Sequence, residues 1–308
     1  MHPAFSVLNL KHRMSDILAP PTIDRMLRGY SIEINPGQSN VVDAAVDRLA
    51  AGTEVFLAWI PGANPMDAIV PAARLRRAGL IPVPHVGARH LESASQLEQF
   101  AARLVGEAAI DRILVIGGDR AAPAGPYESS LDVMRAGVFQ KAGILRVAIG
   151  GFPEGNPHIS SPVLNEALAA KVDFARSAGL QLSIITQFCF DANPIIAWLS
   201  DIRSRGMDVP VRVGLAGPAG IVTLARYAVR CGIGNSLHVL TENPSFAKLL
   251  TEKGPEPIIH ALQASVSRGN GASGAGIAGL HFYVFGGFNK TVDWIEAQLA
   301  ARSIPAHT

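Results

Sequence analysis

Several short apolar runs in this chain end in, or carry, a side chain of the kind that moves protons or binds heteroatoms. Ser31-Ile32-Glu33-Ile34-Asn35 sets a carboxylate between two isoleucines, and Val83-Pro84-His85-Val86-Gly87 carries an imidazole. Ile116-Gly117-Gly118-Asp119-Arg120 closes on a carboxylate beside a guanidinium. Ile184-Ile185-Thr186-Gln187-Phe188 delivers an amide, and His281-Phe282-Tyr283 offers an imidazole and a phenol. A partly buried Glu33 would have its pKa raised and could donate a proton near neutral pH. Asp119 could stabilise a developing positive charge, and the Gln187 amide offers both a donor and an acceptor to a heterocycle edge. Taken singly, each has a plain structural explanation: a lone histidine usually satisfies a core hydrogen bond, and Gly-Gly-Asp is often only a turn. Their common place at the ends of apolar runs asks for a fold that gathers strand ends.

The periodicity supplies one. Strands are predicted at 31–35, 54–60, 80–86, 112–117, 145–150, 182–187, 211–216 and 279–284. Helices are predicted at 40–51, 66–78, 93–107, 128–142, 162–178, 193–206, 219–231, 256–267 and 290–301. Eight strands, each followed by a helix, is the count for a (β/α)8 TIM barrel, and near-continuous apolar strands such as Ile113-Leu114-Val115-Ile116 suit a parallel sheet covered by helices. An open, doubly wound sheet is the alternative. The expectation is a single α/β barrel domain over residues 1–308, with residues 1–28 as an extension outside the barrel. Active sites of this fold lie at the C-terminal ends of the strands. In the first strand the isoleucines would face the helices, while Ser31, Glu33 and Asn35 point inward. A carboxylate inside a barrel is costly to bury without a partner or a purpose. The stretch 232–278 reads as irregular, with 269–276 rich in Gly, Ser and Ala and expected to be mobile.

Composition narrows the function classes. With 308 residues, 48% of them hydrophobic, the chain can bury a large core. A net charge of +2 and no Lys/Arg run longer than two exclude a nucleic-acid footprint or a polybasic membrane patch. No apolar stretch reaches the roughly 18 residues of a membrane span, and no secretory signal opens the chain. The cysteines Cys189 and Cys231 lack metal-ligand spacing and read as core residues in a reducing compartment, so the expectation is a soluble cytoplasmic protein. Gly269-Asn270-Gly271-Ala272-Ser273-Gly274 matches a dinucleotide fingerprint but precedes a strand instead of following one. Trp198, Leu199 and Ile202 read as core packing, and His238 and His260 have no partners spaced for a metal. Gly214, Gly217 and Gly220 around Pro218 form either a tight turn or a place where backbone approaches a ligand.

The ordered motifs also resemble the methylenetetrahydrofolate reductase family. Ser31-Ile32-Glu33-Ile34-Asn35-Pro36 is similar to the family's "SFEFFPP", Pro84-His85 to "PHLT", and Gly118-Asp119 with Tyr127 and Ser129 to "RGD…YASDLV". Phe152-Pro153-Glu154-Gly155-Asn156-Pro157 resembles "YPExHP", Lys171-Val172-Asp173 resembles "KVDAGA", and Thr186-Gln187-Phe188 resembles "TQFFFD". His281-Phe282-Tyr283 completes the series, in order, over residues 30–290. The resemblance implies reduction of 5,10-methylenetetrahydrofolate to 5-methyltetrahydrofolate, with FAD relaying a hydride from NADH or NADPH. The reaction could also run in reverse in a one-carbon or demethylation pathway. By resemblance Glu33 is the general acid, Asp119 acts beside the flavin, and Gln187, Phe188 and Tyr283 meet the folate. His85, Gly117, Gly118, Asp119, Arg120, Tyr127, Ser129, Phe152, Asn156, His158 and Lys171 are the implied FAD-binding set, and the chain is compatible with a homo-oligomer. The sequence departs from the family at Gly117, where an Arg is usual, at Asn156 in place of a His, and at Ala169 and Ala170 in place of a basic pair. Fewer cations at phosphate positions imply weaker flavin retention, with Arg120, His158 or Lys171 as compensation. Val284-Phe285-Gly286-Gly287-Phe288-Asn289-Lys290 replaces the usual "TLNR". A flavin-free relative and a non-catalytic pterin-binding protein are the alternatives.

Overall fold

Leu114 shows why the strands are apolar on both sides. Its neighbours Ile113 and Val115 pack in the layer between sheet and helices, while Leu114 itself points inward to Phe56, Val83, Ala148 and Ile185. In this computed structural model, which describes residues 23–60, 62–230, 254–267, 277–285 and 287–303, eight parallel strands close into a barrel in sequence order. They are β1 (Ser31–Ile34), β2 (Glu54–Leu57), β3 (Ile81–Gly87), β4 (Arg112–Ile116), β5 (Arg146–Gly151), β6 (Gln181–Thr186), β7 (Val211–Ala216) and β8 (Ile277–Tyr283). The (β/α)8 architecture read from the sequence is the one observed, and the open-sheet alternative is excluded by the pairing of β8 with β1.

Outside the barrel run α1 (Ile23–Arg28), α2 (Ser39–Arg48), α3 (Ile69–Arg77), α4 (Ala94–Ala108), α5 (Ser130–Arg135), α6 (Val138–Lys141), α7 (Ser161–Ser177), α8 (Ala192–Ser204), α9 (Ile221–Arg230), α10 (Glu256–Ser267) and α11 (Phe288–Ser303). The helix predicted at 128–142 is two helices, because Gly137 takes φ +67° and breaks it. Its start moves in to residue 130 because Ser129 and Asp132 form a capping box. Residues 23–28 of the predicted extension form a helix that buries Met26 and Leu27; residues 1–22, Cys231, His238 and 269–276 lie outside the described residues.

The two barrel ends differ in chemistry. At the N-terminal end, Glu54 is clasped by Arg112 and by Arg212 (2.8 Å), and Arg212 also donates to the carbonyl of Gly29. Asp111 joins Arg76, Arg112 and Arg146 beside it. These charges are paired with one another and close the floor. At the other end His85 and His281 each bury a ring nitrogen that makes no hydrogen bond among the described residues.

Candidate active site at the C-terminal face of the barrel

Glu33 is the inward residue of β1 between the outward Ile32 and Ile34, both fully buried against the helices. Parallel pairing puts His281 of β8 opposite Ser31 and Tyr283 opposite Glu33, and barrel curvature brings His85 of β3 to the same spot. The Glu33 carboxyl, 20% exposed, therefore has His85 Nε2 at 3.4 Å and His281 Nε2 at 3.8 Å from one of its oxygens. Both Nε2 atoms are buried without a hydrogen-bond partner among the described residues. Burial raises the Glu33 pKa above the ordinary carboxylate value, against a smaller opposing pull from His85. Burial also lowers His85, and it lowers His281 to about 3, helped by the positive charge of Arg212. The Phe56 ring meets both imidazoles edge-on, at centroid distances of 6.1 and 4.7 Å. A carboxyl that favours its protonated form thus sits between two neutral imidazoles on an apolar floor. Asn35, the third residue expected to point inward, accepts from the Gly37 amide in the turn after β1.

On the β6–β8 side the site is aromatic. Tyr283 packs edge-on to His281 (4.7 Å) and donates its hydroxyl proton to the carbonyl of Thr186 at 3.0 Å. Phe188, fully buried, touches Phe190, Tyr283 and Phe285, and Phe285 stacks on Tyr227 of α9 at 4.2 Å. Phe285 holds φ +44°, a conformation rarely taken by a side chain of its size, so packing rather than backbone preference puts that ring there. The Thr186 hydroxyl accepts from the Gly214 amide at 2.8 Å, which ties β6 to β7 just before Gln187. Added Cβ atoms at Gly214 and Gly217 would collide with the Thr186 carbonyl and with Thr291, so these glycines serve close packing.

On the β2–β4 side lies a cavity of about 590 Å³ lined by Trp59, Asn64, His90, Glu92, Asp119 and Arg120. Asp119, 60% exposed, bonds His90 Nε2 at 2.7 Å, and Trp59 lies against the His90 ring at 5.6 Å. Gly118, at φ +95°, leaves no room for a Cβ beside His90, while Gly117 has open space and gives its carbonyl to the Arg89 amide. Arg89 itself holds the loop through the carbonyls of Arg120, Ala121 and Glu128.

The structure thus brings Glu33, His85 and Tyr283 together, joins Phe188 to Tyr283, and puts Asp119 and Arg120 in the cavity. Others from the sequence reading have different work. Tyr127 is buried in the main core, and the Ser129 hydroxyl is taken up by its capping box. Phe152 lies over Gly150, Asn156 accepts from the His158 amide at 2.9 Å, and His158 is exposed. Lys171 is half-buried on α7; burial lowers its ammonium pKa, and no charged neighbour among the described residues counters this. Sequence reasoning missed Trp59, His90, Tyr227 and Phe285. Trp59 and His90 follow the ends of β2 and β3, and that position was the available signal.

Among the described residues no set of three or more His, Cys, Asp or Glu could hold a metal, and no helix is long and apolar enough to cross a membrane. No family model matches the sequence. An uncharacterized protein from Clostridium thermocellum that binds two copies of 5-methyl-5,6,7,8-tetrahydrofolic acid superposes with a TM-score of 0.61, at 14% identity, covering 96% of this chain and 100% of that one. Two further solved proteins superpose less closely. They are dihydropteroate synthase from Burkholderia cenocepacia (TM-score 0.44, 15% identity, 89% of this chain and 93% of that one) and β-N-acetylhexosaminidase from Beutenbergia cavernae (0.40, 13%, 80% and 96%). At such identities the likeness is one of fold.

Proposed function

We propose that the C-terminal face of this barrel binds a reduced folate and that the chain reduces 5,10-methylenetetrahydrofolate to 5-methyltetrahydrofolate at the expense of NADH or NADPH. The observation that carries the reading is Glu33, an inward carboxyl whose burial favours the protonated form. The ordered motif resemblance and the methyltetrahydrofolate-binding neighbour of similar fold support it.

The chemistry needs a proton at nitrogen 10 of the folate, breaking the bond from that nitrogen to the methylene carbon and leaving a cationic iminium at nitrogen 5. Glu33 supplies the proton and becomes a carboxylate. A hydride then adds to the methylene carbon and completes the methyl group. Gln187 offers its amide to the pterin edge, Phe188 supports the Tyr283 ring that walls the site, and the Asp119 carboxylate favours the cation electrostatically.

FAD, when bound, would take the hydride from the nicotinamide and pass it to the folate. Lys171 is half-buried on α7 without a counter-charge among the described residues, and Arg120 stands exposed at the cavity, so these are the two cations that an anionic diphosphate could use. His85, Gly117 and Gly118 would face the ring system, and Phe152, Asn156 and His158 would border it.

A second reading, direct hydride transfer without flavin, is favoured by a specific observation. Tyr127 and Ser129, two members of the implied flavin set, are spent on the core and on a helix cap. Purified protein that is yellow and loses activity when stripped supports the first reading. Colourless protein that oxidises NAD(P)H with methylenetetrahydrofolate supports the second. Absence of any reduced-folate binding by calorimetry would overturn both.

A further inference from the structure

We infer that Arg89 is a positioning residue that fixes Asp119 at the cavity, by holding the loop between β4 and α5 onto the turn after β3. The inference rests on the reading of Asp119 as the carboxylate that favours the iminium.

Asp119 lies on a stretch that has no ladder of its own to hold it. Between the end of β4 at Ile116 and the start of α5 at Ser130 there is no helix or strand, and the carboxylate stands 60% exposed. An exposed side chain on an irregular loop ordinarily samples several arrangements. The turn Ala88–His90 removes that freedom. The Arg89 amide donates to the carbonyl of Gly117 at 2.8 Å, two residues before Asp119. The Arg89 guanidinium donates to the carbonyls of Arg120 at 2.8 Å, Ala121 at 2.6 Å and Glu128 at 3.2 Å. The Arg89 carbonyl accepts from the Ala124 amide at 2.9 Å. Asp119 is thus bracketed on both sides by bonds to one residue, and the neighbouring His90 bonds its carboxylate at 2.7 Å.

The direction of each Arg89 bond is fixed by chemistry. A guanidinium and an amide N–H donate, and a carbonyl accepts, so no tautomer or hydroxyl rotor enters. Three carbonyls spread over residues 120–128 suit the planar fork of a guanidinium, whereas a lysine ammonium is a single point that cannot serve all three. Packing sets the loop on the same turn. Gly118, at φ +95°, leaves no room for a Cβ beside His90, and a Cβ at Gly125 would run into the carbonyl of Glu92. The loop can lie this close only with glycine at both places, and Arg89 ties down the residues between and beyond them.

Arg89→Lys keeps the charge and loses the fork. With the loop loosened, the Ala124 amide should exchange with solvent about tenfold faster, roughly what one ordinary hydrogen bond is worth. Folate reduction should slow. The double variant Arg89→Lys/Asp119→Asn should be no slower than Asp119→Asn alone, because a residue that acts through Asp119 then has nothing left to position. A residue that merely supports the fold would instead add its own loss to that of Asp119→Asn. Unchanged Ala124 exchange, additive losses, or turnover indifferent to Asp119→Asn overturns the inference. If Arg89→Lys fails to fold, Arg89→Gln, which also lacks the fork, takes its place. Faster exchange in a protein that neither binds nor reduces folate leaves Arg89 as the holder of the loop and removes the functional reading instead.

Discussion

Glu33 is asked to be an acid where an exposed glutamate would be a base, and the residues around it show how that is arranged. Two neutral imidazoles and an aromatic edge surround the carboxyl, and no cationic side chain among the described residues pairs with it. Glu33→Gln should cut folate reduction by about 10²- to 10⁴-fold, the usual worth of a general acid, and leave nicotinamide oxidation by the flavin, where present, nearly unchanged in stopped-flow. The same substitution should stabilise the fold at neutral pH. A carboxyl whose folded pKa is raised contributes stability below its ordinary value of 4.5 and loses it as pH rises through the folded value. Thermal melts of the variant should therefore gain on the parent as pH climbs from 4.5 to 8, and a constant difference would mean that Glu33 is not desolvated. Asp119 differs in kind, being exposed and hydrogen-bonded to His90. On the flavin reading, Asp119→Asn should alter both half-reactions, raising the flavin potential and weakening stabilisation of the iminium, so that folate reduction slows; an unchanged flavin potential with normal folate turnover would leave Asp119 a turn residue.

At the scale of elements, the join between β6 and β7 is where the site depends most on one side chain. Their ladder pairs only Ile184 with Val211 and Ile185 with Arg212, so it stops short of the face that carries Gln187. Thr186 bridges the gap: its hydroxyl takes the Gly214 amide and its carbonyl takes the Tyr283 hydroxyl. Thr186→Val keeps the shape and loses the first bond. A buried amide left unpaired costs about 1–3 kcal/mol, so the variant should unfold at lower denaturant. Because Gln187 follows directly, reduced-folate affinity should fall with it; a drop in stability with unchanged affinity would detach Gln187 from the ligand. The capping box at Ser129 is the opposite case. Its hydroxyl serves the start of α5, so Ser129→Ala should cost about 1 kcal/mol of stability and leave flavin retention unaltered.

Across the whole molecule, the two barrel ends respond to pH in different windows. His281 and His85 both have folded pKa values below the ordinary 6.5, so the stability they hold is complete above 6.5 and is lost as pH falls, for His281 through about 3. Each contributes at most about 1.4 kcal/mol per pH unit in that window. At the floor, burial alone would raise Asp111, but hydrogen bonds and charge from Arg112 and Arg76 prevail and hold it below the usual carboxylate range. Its contribution therefore persists to more acidic pH than that of the histidines. Acid unfolding should begin below pH 6.5, and His281→Phe should flatten the part between 6.5 and 3. Because Glu33 opposes the histidines in this window, the test is made in Glu33→Gln: equal stability of that variant at pH 7 and 4.5 would contradict the neutral-imidazole site.

The barrel was legible in the sequence because its signals are local. Runs such as Ile113-Leu114-Val115-Ile116 must be covered on both faces, and eight of them alternating with helices leave few arrangements open. The inward aim of Glu33 was legible for the same reason, since alternation along a strand needs no knowledge of its neighbours. The partners of Glu33 were not, because barrel closure sets Ser31 beside His281, 250 residues along the chain, and no local pattern carries that register. Nor could spacing tell that the Ser129 hydroxyl would turn back to cap its own helix, that Tyr127 would sink into the core, or that His90 would reach Asp119. Periodicity sets which way a side chain points; which atoms it meets there depends on strands and loops that only the closed barrel brings together.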